Sequence, residues 1–570
     1  MDTQRSILFA VFLFSLFMLW EAWQKEHAPK AVPLPAVAEK PAAAGTVPNA
    51  AAAPGVGSLA AAGAGLPVPP TASQPASALK TERVTVTTDA LVAEIDSVGG
   101  TLTRVEFIKH RDTNDRSRPF VLLEQSPERT YLAQSGLIGE FLPSHKTAFA
   151  FKPGPRQLKQ GEATMEVRLE AVEVAGVKVE KVFTFHRDSY LIGVRYEILN
   201  RSAVPLQTFS YFQITRDGKP ADGDQKFVST FTGPAFYTDA EKFQKIEFAD
   251  VEKGKGKVPG KADNGWVAML QHYFVSAWLP EKPQDAKAQY EFYAKKVADN
   301  LYSAGVVVPV SAIAPGATGT VRVAFYAGPE EQDKLAEIAP GLDLVVDYGW
   351  LTIIAAPLFW VLQWLHKLVN NWGVAIILLT CLIKALFFPL SAASYKSMAR
   401  MRLVTPRLTK IREQFGDDRV KMNQAMMELY KTEKINPLGG CLPILVQIPV
   451  FIALYWVLLA SVEMRHAPFY GWITDLSAPD TLFGTWFNMP VGLLPIIMTA
   501  TSYIQIKLNP TPPDPVQAKV MMIMPLAFGI MFFWFPAGLV LYWVVNNVLS
   551  IAQQWQITRM IEGGKETAKR

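Results

Sequence analysis

The run Gly373-Val-Ala-Ile-Ile-Leu-Leu-Thr380-Cys381-Leu-Ile-Lys384-Ala-Leu-Phe-Phe-Pro389-Leu-Ser-Ala392 decides the fold. It is apolar except for one lysine and matches the ~20 residues that an α-helix needs to cross a bilayer. Four more runs of this kind follow, at 441–462, 489–508, 520–536 and 538–556, and Pro536-Ala537-Gly538 makes a tight turn between the last two. Near the N-terminus, Arg5 precedes a further apolar run, Ile7 to Trp20. No small-x-small cleavage pattern follows it, and Trp20 and Trp23 suit a membrane interface, so an uncleaved signal anchor is expected. Residues 350–369 differ: Pro357, Gln363, His366 and Lys367 interrupt them, and Trp350, Trp360 and Trp364 punctuate them. This pattern predicts an amphipathic helix lying in the interface.

Charge placement gives an orientation. Segment 393–438 carries Lys396, Arg400, Arg402, Arg407, Lys410, Arg412, Arg419, Lys421, Lys431 and Lys434, whereas 463–488 carries Arg465 alone. By the positive-inside rule the first loop is cytoplasmic and the second outside. Within the basic loop, Met401, Val404, Leu408, Ile411 and Phe415 repeat at helical spacing, Gly416-Asp417-Asp418 interrupts, and Met422, Met426 and Leu429 resume. An antiparallel helical hairpin is expected, its first arm kinked at Pro406. Its basic face either meets anionic lipid or ribosomal RNA, or is merely solvated.

Between anchor and spans the pattern changes. The stretch up to residue 80 is rich in Ala, Pro and Gly, cannot bury enough surface to order itself, and reads as a disordered tether. From Val84 the alternation is of period two, as in Leu91, Ala93, Ile95 and again from Leu191 to Leu199, with turns at Gly99-Gly100 and Asp217-Gly218. Many short strands with such turns predict an antiparallel sandwich. The chain's only cysteines, Cys381 and Cys441, lie in apolar runs, so no disulfide supports this domain. His110, His186 and His272 are isolated, without metal-ligand spacing, and neither a nucleophile elbow nor a phosphate loop occurs. No catalytic residue, metal or cofactor is expected.

Lys384 carries the functional argument. It sits mid-run, where a charge is costly and normally faces protein or water. The alternative is a lysine snorkelling along its own stem to the interface. The polar groups Thr380, Gln447, Thr499, Ser502, Gln505, Asn546, Asn547 and Gln553 of the runs are uncharged. Without buried carboxylates a proton or ion relay is disfavoured. A lone cation among neutral polar groups suits a wet cavity attracting something negative.

The sequence Asn371-Trp372-Gly373 through Lys384, the hairpin, Asn436-Pro437-Leu438-Gly439-Gly440-Cys441 and Trp534-Phe535-Pro536-Ala537-Gly538-Leu539 resemble the YidC membrane protein insertase family. The resemblance covers essentially the whole chain. It implies an α-helical polytopic membrane protein with six spans, five of them forming a core, plus an all-β periplasmic sandwich domain. The expected divisions are an anchor at 1–24, tether at 25–80, sandwich at 81–330, linker and interfacial helix at 331–372, core at 373–558 with its hairpin at 395–435, and tail at 559–570. The resemblance further implies a hydrophilic groove, open to the cytoplasm and the bilayer, that receives nascent membrane proteins alone or beside the Sec translocon. Lys384 falls where the family usually has arginine, keeping the charge and losing the planar fork. Thr380 matches another groove position, Trp543 with Tyr542 an aromatic substrate contact, and Gln505 joins them as a polar span residue. Expected partners are nascent membrane proteins, the Sec translocon, the ribosome and membrane lipids, not DNA, in a bacterial inner membrane with both termini cytoplasmic. A membrane-anchored envelope scaffold or glycan-binding protein is the alternative.

Overall fold

The structure, a computed structural model, describes residues 81–113, 115–221, 230–282, 288–415, 418–433, 442–487, 489–509 and 515–567. The expected anchor and tether, the motif at 436–441 and the last three residues of the tail lie outside these.

Residues 83 to 329 form two antiparallel sheets. The first runs in the order Arg83–Thr87, Leu91–Asp96, Thr101–Arg111, Pro119–Gln125, Thr130–Ile138, Leu206–Asp217, Leu301–Ile313, Tyr290–Ala298, Lys261–Ala262. The second runs Gln244–Lys245, Gly233–Tyr237, Trp266–Gln271, Phe274–Pro280, Thr318–Pro329, Leu191–Asn200, Val177–His186, Thr164–Ala171, Phe149–Phe151. The alternation shows in the burial: along Leu191–Asn200, Ile192, Val194, Tyr196 and Ile198 face the core, and Arg195 and Glu197 pair outside with Glu166 and Arg168. The inner faces meet in a dry layer, where Phe212 of one sheet packs on Trp278 of the other at 5.1 Å and the indole Nε1 donates to the Gln213 carbonyl. Two basic side chains, Arg216 and Lys181, are buried there. Lys181 Nζ donates to the carbonyls of Gly99 (2.9 Å) and Gly100 (2.7 Å). Gly99 has φ +72°, and a Cβ on it would meet the His145 carbonyl oxygen at 2.3 Å, so the turn that accepts the lysine admits only glycine there.

The C-terminal half is helical: α1 Thr352–Val369, α2 Trp372–Leu386, α3 Phe388–Phe415, α4 Arg419–Thr432, α5 Leu442–Ala460, α6 Leu493–Leu508, α7 Pro515–Met531 and α8 Ala537–Thr567. Among the described residues, one helix, Gly349–Val369, is by itself long and apolar enough to cross a membrane. The pair α2 and α3 qualifies only jointly, across a 67° bend. The expected run 373–392 is therefore not one straight helix. Phe387 leaves helical backbone at the end of α2, and Pro389 suits the first turn of a new helix, so α3 starts afresh. The apolar helices Val446–Ala460, Leu493–Leu508 and Ala518–Trp534 are shorter than a full span.

α1 buries Ala355, Phe359, Leu362 and Leu365 against α5 and α2, and exposes Ile353, Trp360, Trp364 and Leu368, with Trp350 exposed in the turn just before it. In α3 and α4, Val404 and Leu408 are covered by Met401, Met426, Leu429 and Tyr430. α3 runs unbroken through Pro406. The end of α5 and the loop after it meet the sandwich: Arg116 Nη2 donates to Asp475 at 2.8 Å, Arg465 Nη2 to Thr113 Oγ1 at 3.0 Å, and His272 Nε2 lies 3.0 Å from the carbonyl of Leu459 in α5.

Candidate functional site

α8 packs on α6, α2 and α3 and brings a polar stripe to all three. Asn546, Ser550 and Gln554 recur every four residues, one face of a helix. From this stripe Gln554 Nε2 donates to the Leu508 carbonyl (2.9 Å) and Asn509 (3.1 Å) at the end of α6. Asn547 Nδ2 donates to Thr501 (3.2 Å) and Ser502 (2.8 Å). Gln447 Nε2 of α5 donates to Asn546 Oδ1 at 2.6 Å.

Lys384 completes the cluster. Its Nζ donates to Ser550 Oγ at 2.7 Å, and the Ser550 hydroxyl in turn donates to the Asn546 carbonyl at 2.7 Å. The lysine is only 6% exposed and occupies the last turn of α2. The helix carbonyls there favour a cation. Among the described residues no carboxylate lies within ion-pair distance of it. Ile383, Phe387, Leu390, Ser391, Val446 and Gln447 line a small cavity beside it. An ammonium has three donors, and among the described residues Ser550 takes one. The arrangement is a desolvated, positioned cation with donors left for an anionic or carbonyl guest, beside neutral groups that hydrogen-bond in either sense.

The chain's relatives match it from end to end. The family model described as YidC periplasmic domain matches residues 83–361, and that described as 60Kd inner membrane protein matches 364–565. The membrane protein insertase YidC of Aromatoleum aromaticum is 58% identical over 570 residues, all of both chains. That of Nitrosospira multiformis is 56% identical over 577 aligned positions, covering 99% of this chain and 98% of its own. The chain belongs to the YidC membrane protein insertase family. A crystal structure of an active YidC insertase, with its first transmembrane domain resolved, aligns at TM-score 0.36 and 19% identity over 82% of this chain and 91% of that one.

The residues that the YidC resemblance singles out are not all gathered at one place. Trp543 is partly buried, edge-on to Phe451 at 4.5 Å and tilted against Phe532 at 5.2 Å. Its neighbour Tyr542 is fully buried, 6.1 Å from Phe451. Gln505 is half-buried on α6, one turn beyond Thr501 and Ser502. Thr380 is buried, and its hydroxyl bonds back to the Ile376 carbonyl of its own helix at 2.6 Å. Sequence reasoning missed Ser550, Gln554 and Thr501, although Ser550 is the group that holds Lys384. The signal was present in the four-residue spacing of Asn546, Ser550 and Gln554, which marks one face of α8.

Proposed function

We propose that this chain inserts proteins into the bacterial inner membrane by receiving a hydrophilic segment of a nascent chain at Lys384 and the polar face of α8, then releasing the adjoining apolar span into lipid. The observation that carries this is the Lys384–Ser550 pair: a buried cation held by a neutral hydroxyl within a network of amides and hydroxyls. Burying a charge without a counter-ion is costly, and the cost is met where a passing anionic or polar group gains from it. Partition of the substrate's apolar span into the bilayer drives the step, so no nucleotide is needed.

The proposed topology has six spans, with the sandwich outside and both termini cytoplasmic. Three features support it. The ten basic residues of 393–438 fall on α3, α4 and their flanks. Arg465 is the sole Lys or Arg of 463–488. The latter segment is hydrogen-bonded to the sandwich, so the two share a side. The broken α2–α3 pair and the short apolar helices suit a locally thinned bilayer, which shortens the polar segment's passage. The exposed tryptophans of α1 suit an interfacial position. The Sec translocon and the ribosome are proposed partners, the latter through the basic hairpin.

The test is photocrosslinking in inner-membrane vesicles with a ribosome-stalled substrate. Probes at 384, 543 and 550 should each capture the nascent chain, whereas a probe at 172, on the sandwich surface, should not. Failure at all three groove positions overturns the proposal.

A further inference from the structure

Arg465 is the sole Lys or Arg of the outer loop 463–488, and the sandwich encloses it. Its guanidinium lies over the rings of Phe120 (5.2 Å), Phe274 (5.3 Å) and Tyr273 (6.0 Å) and is 9% exposed. Nη2 reaches Thr113, while Nη1 is buried with no hydrogen-bond acceptor. The nearby Asp475 is already saturated. Its two oxygens accept from Arg116 Nη2 (2.8 Å), the His466 amide (3.1 Å) and ring Nδ1 (2.9 Å), and the Ser477 amide (2.8 Å) and hydroxyl (2.6 Å). That exceeds the roughly four lone-pair positions of a carboxylate. Burial pulls the Arg465 guanidinium below its ordinary range, with Tyr273, Asp475 and Asp112 opposing from outside ion-pair distance. Aromatic faces return about 1–2 kcal/mol to a buried cation, less than the several kcal/mol lost with its hydration. Among the described residues the Arg465 Nη1 is therefore left without an acceptor.

A cavity lies beside it. Thr113, Arg116, Arg465 and the Asp475 carboxylate, already covered by its five donors, are among its polar walls, and Phe120, Ala478 and Leu459 among its apolar ones. Leu459 belongs to the last turn of α5. We infer that this cavity, between the sandwich and the outer loop, is a binding site for a phosphate-type oxyanion, with Arg465 Nη1 and the Thr113 hydroxyl as its donors and the Arg116 guanidinium, already paired with Asp475, as a second positive charge beside them. Guanidinium forks and hydroxyls match the geometry of phosphate oxygens. The oxyanion is either free phosphate or the headgroup of an anionic lipid. The lipid source alone rests on the proposed topology, in which this end of α5 meets the outer leaflet.

The experiment uses the full chain in a neutral sugar detergent. Inorganic phosphate at ten times its dissociation constant should raise the melting temperature by roughly 2–5 °C, and chloride of equal ionic strength should not. Arg465→Met should abolish the shift. Ala478→Leu, which fills the cavity and leaves both arginines in place, should abolish it too and serves if Arg465→Met does not fold. In a second arm, nanodiscs of phosphatidylglycerol or phosphatidylcholine are examined by native mass spectrometry. Retention of phosphatidylglycerol that depends on an open cavity identifies lipid as the source, and a phosphate shift without it identifies the free ion. If neither ligand gives a response that the substitutions remove, the proposal is wrong, and the three rings alone hold the cation. The groove mechanism is untouched by that outcome, because Lys384 and α8 take no part in the assay.

Discussion

Neutralising Lys384 tests the proposed mechanism most directly. Its Nζ is fixed at 2.7 Å from Ser550 and is 6% exposed, with no carboxylate partner among the described residues. A substrate carboxylate brought to ~4 Å of it gains about 1 kcal/mol in a water-like dielectric and about 4 kcal/mol at an effective dielectric of 20. At about 1.4 kcal/mol per tenfold, that spans roughly 5-fold to nearly 1,000-fold in occupancy. The burial of this lysine makes about fivefold the lower bound. Lys384→Met, which keeps the stem, should therefore reduce insertion of a substrate with an acidic outer tail by at least about fivefold. A substrate whose short tail is uncharged should be little affected. Lys384→Arg should retain activity, and Lys384→Glu should fall below Lys384→Met because attraction becomes repulsion. The assay is protease protection of the translocated tail in proteoliposomes, with both substrates run on the same preparations. Equal loss for the two substrates would show damage to folding, not lost attraction. Normal insertion of the acidic tail by Lys384→Glu would refute the reasoning, leaving a lysine buried for packing alone.

Other residues and segments give contrasting expectations. Thr380→Val should leave insertion unchanged, because the hydroxyl is spent on the Ile376 carbonyl; a loss comparable to that of Lys384→Met would place Thr380 in the groove after all. Burial holds the Lys181 ammonium down to about 7 in the sandwich, against 10.5 when exposed. Between those values the unfolded chain binds a proton that the folded one does not, so stability should rise with pH from 7 towards 10, by up to about 1.4 kcal/mol per pH unit. Denaturant melts of the wild type and Lys181→Met across that range check this, and equal slopes would count against it. Deleting most of residues 81–320 while keeping α1 should leave insertion largely intact in a complementation assay, since the polar cluster draws no residue from the sandwich; a stably expressed deletion with no activity would contradict this. Deleting 399–433 should slow insertion while the remaining helices still assemble, and unchanged insertion kinetics would reduce the hairpin to a connector.

The sequence alone determined that the chain lives in two solvents, and it fixed the kind of element in each. Alternation along Leu191–Asn200 needs only a sheet with one face buried, and the apolar runs after residue 370 need only a helix and a lipid-like surrounding. The family was likewise legible, because Asn371 to Lys384 and Trp534 to Leu539 are continuous strings that require no folding to be read. The set of polar residues in the apolar runs could also be drawn up from the sequence, though that survey passed over Ser550.

Partners and depth were decided by tertiary structure. Lys384 stands in mid-run by counting, yet in the last turn of its helix, because Pro389 is as compatible with starting a helix as with kinking one. Its holder, Ser550, is 166 residues away. Thr380 and Gln447 are equally polar on paper, but one is satisfied by its own helix and the other by Asn546. Arg465 read as an ordinary charge whose scarcity marked an outer loop. Only the fold surrounds it with Phe120, Tyr273 and Phe274, from strands and turns that are far apart in sequence and meet when the sandwich closes. Periodicity records which face of an element is buried. It carries no information on what that face meets, since a hydrogen bond or an aromatic enclosure between distant segments leaves no mark on the spacing of either.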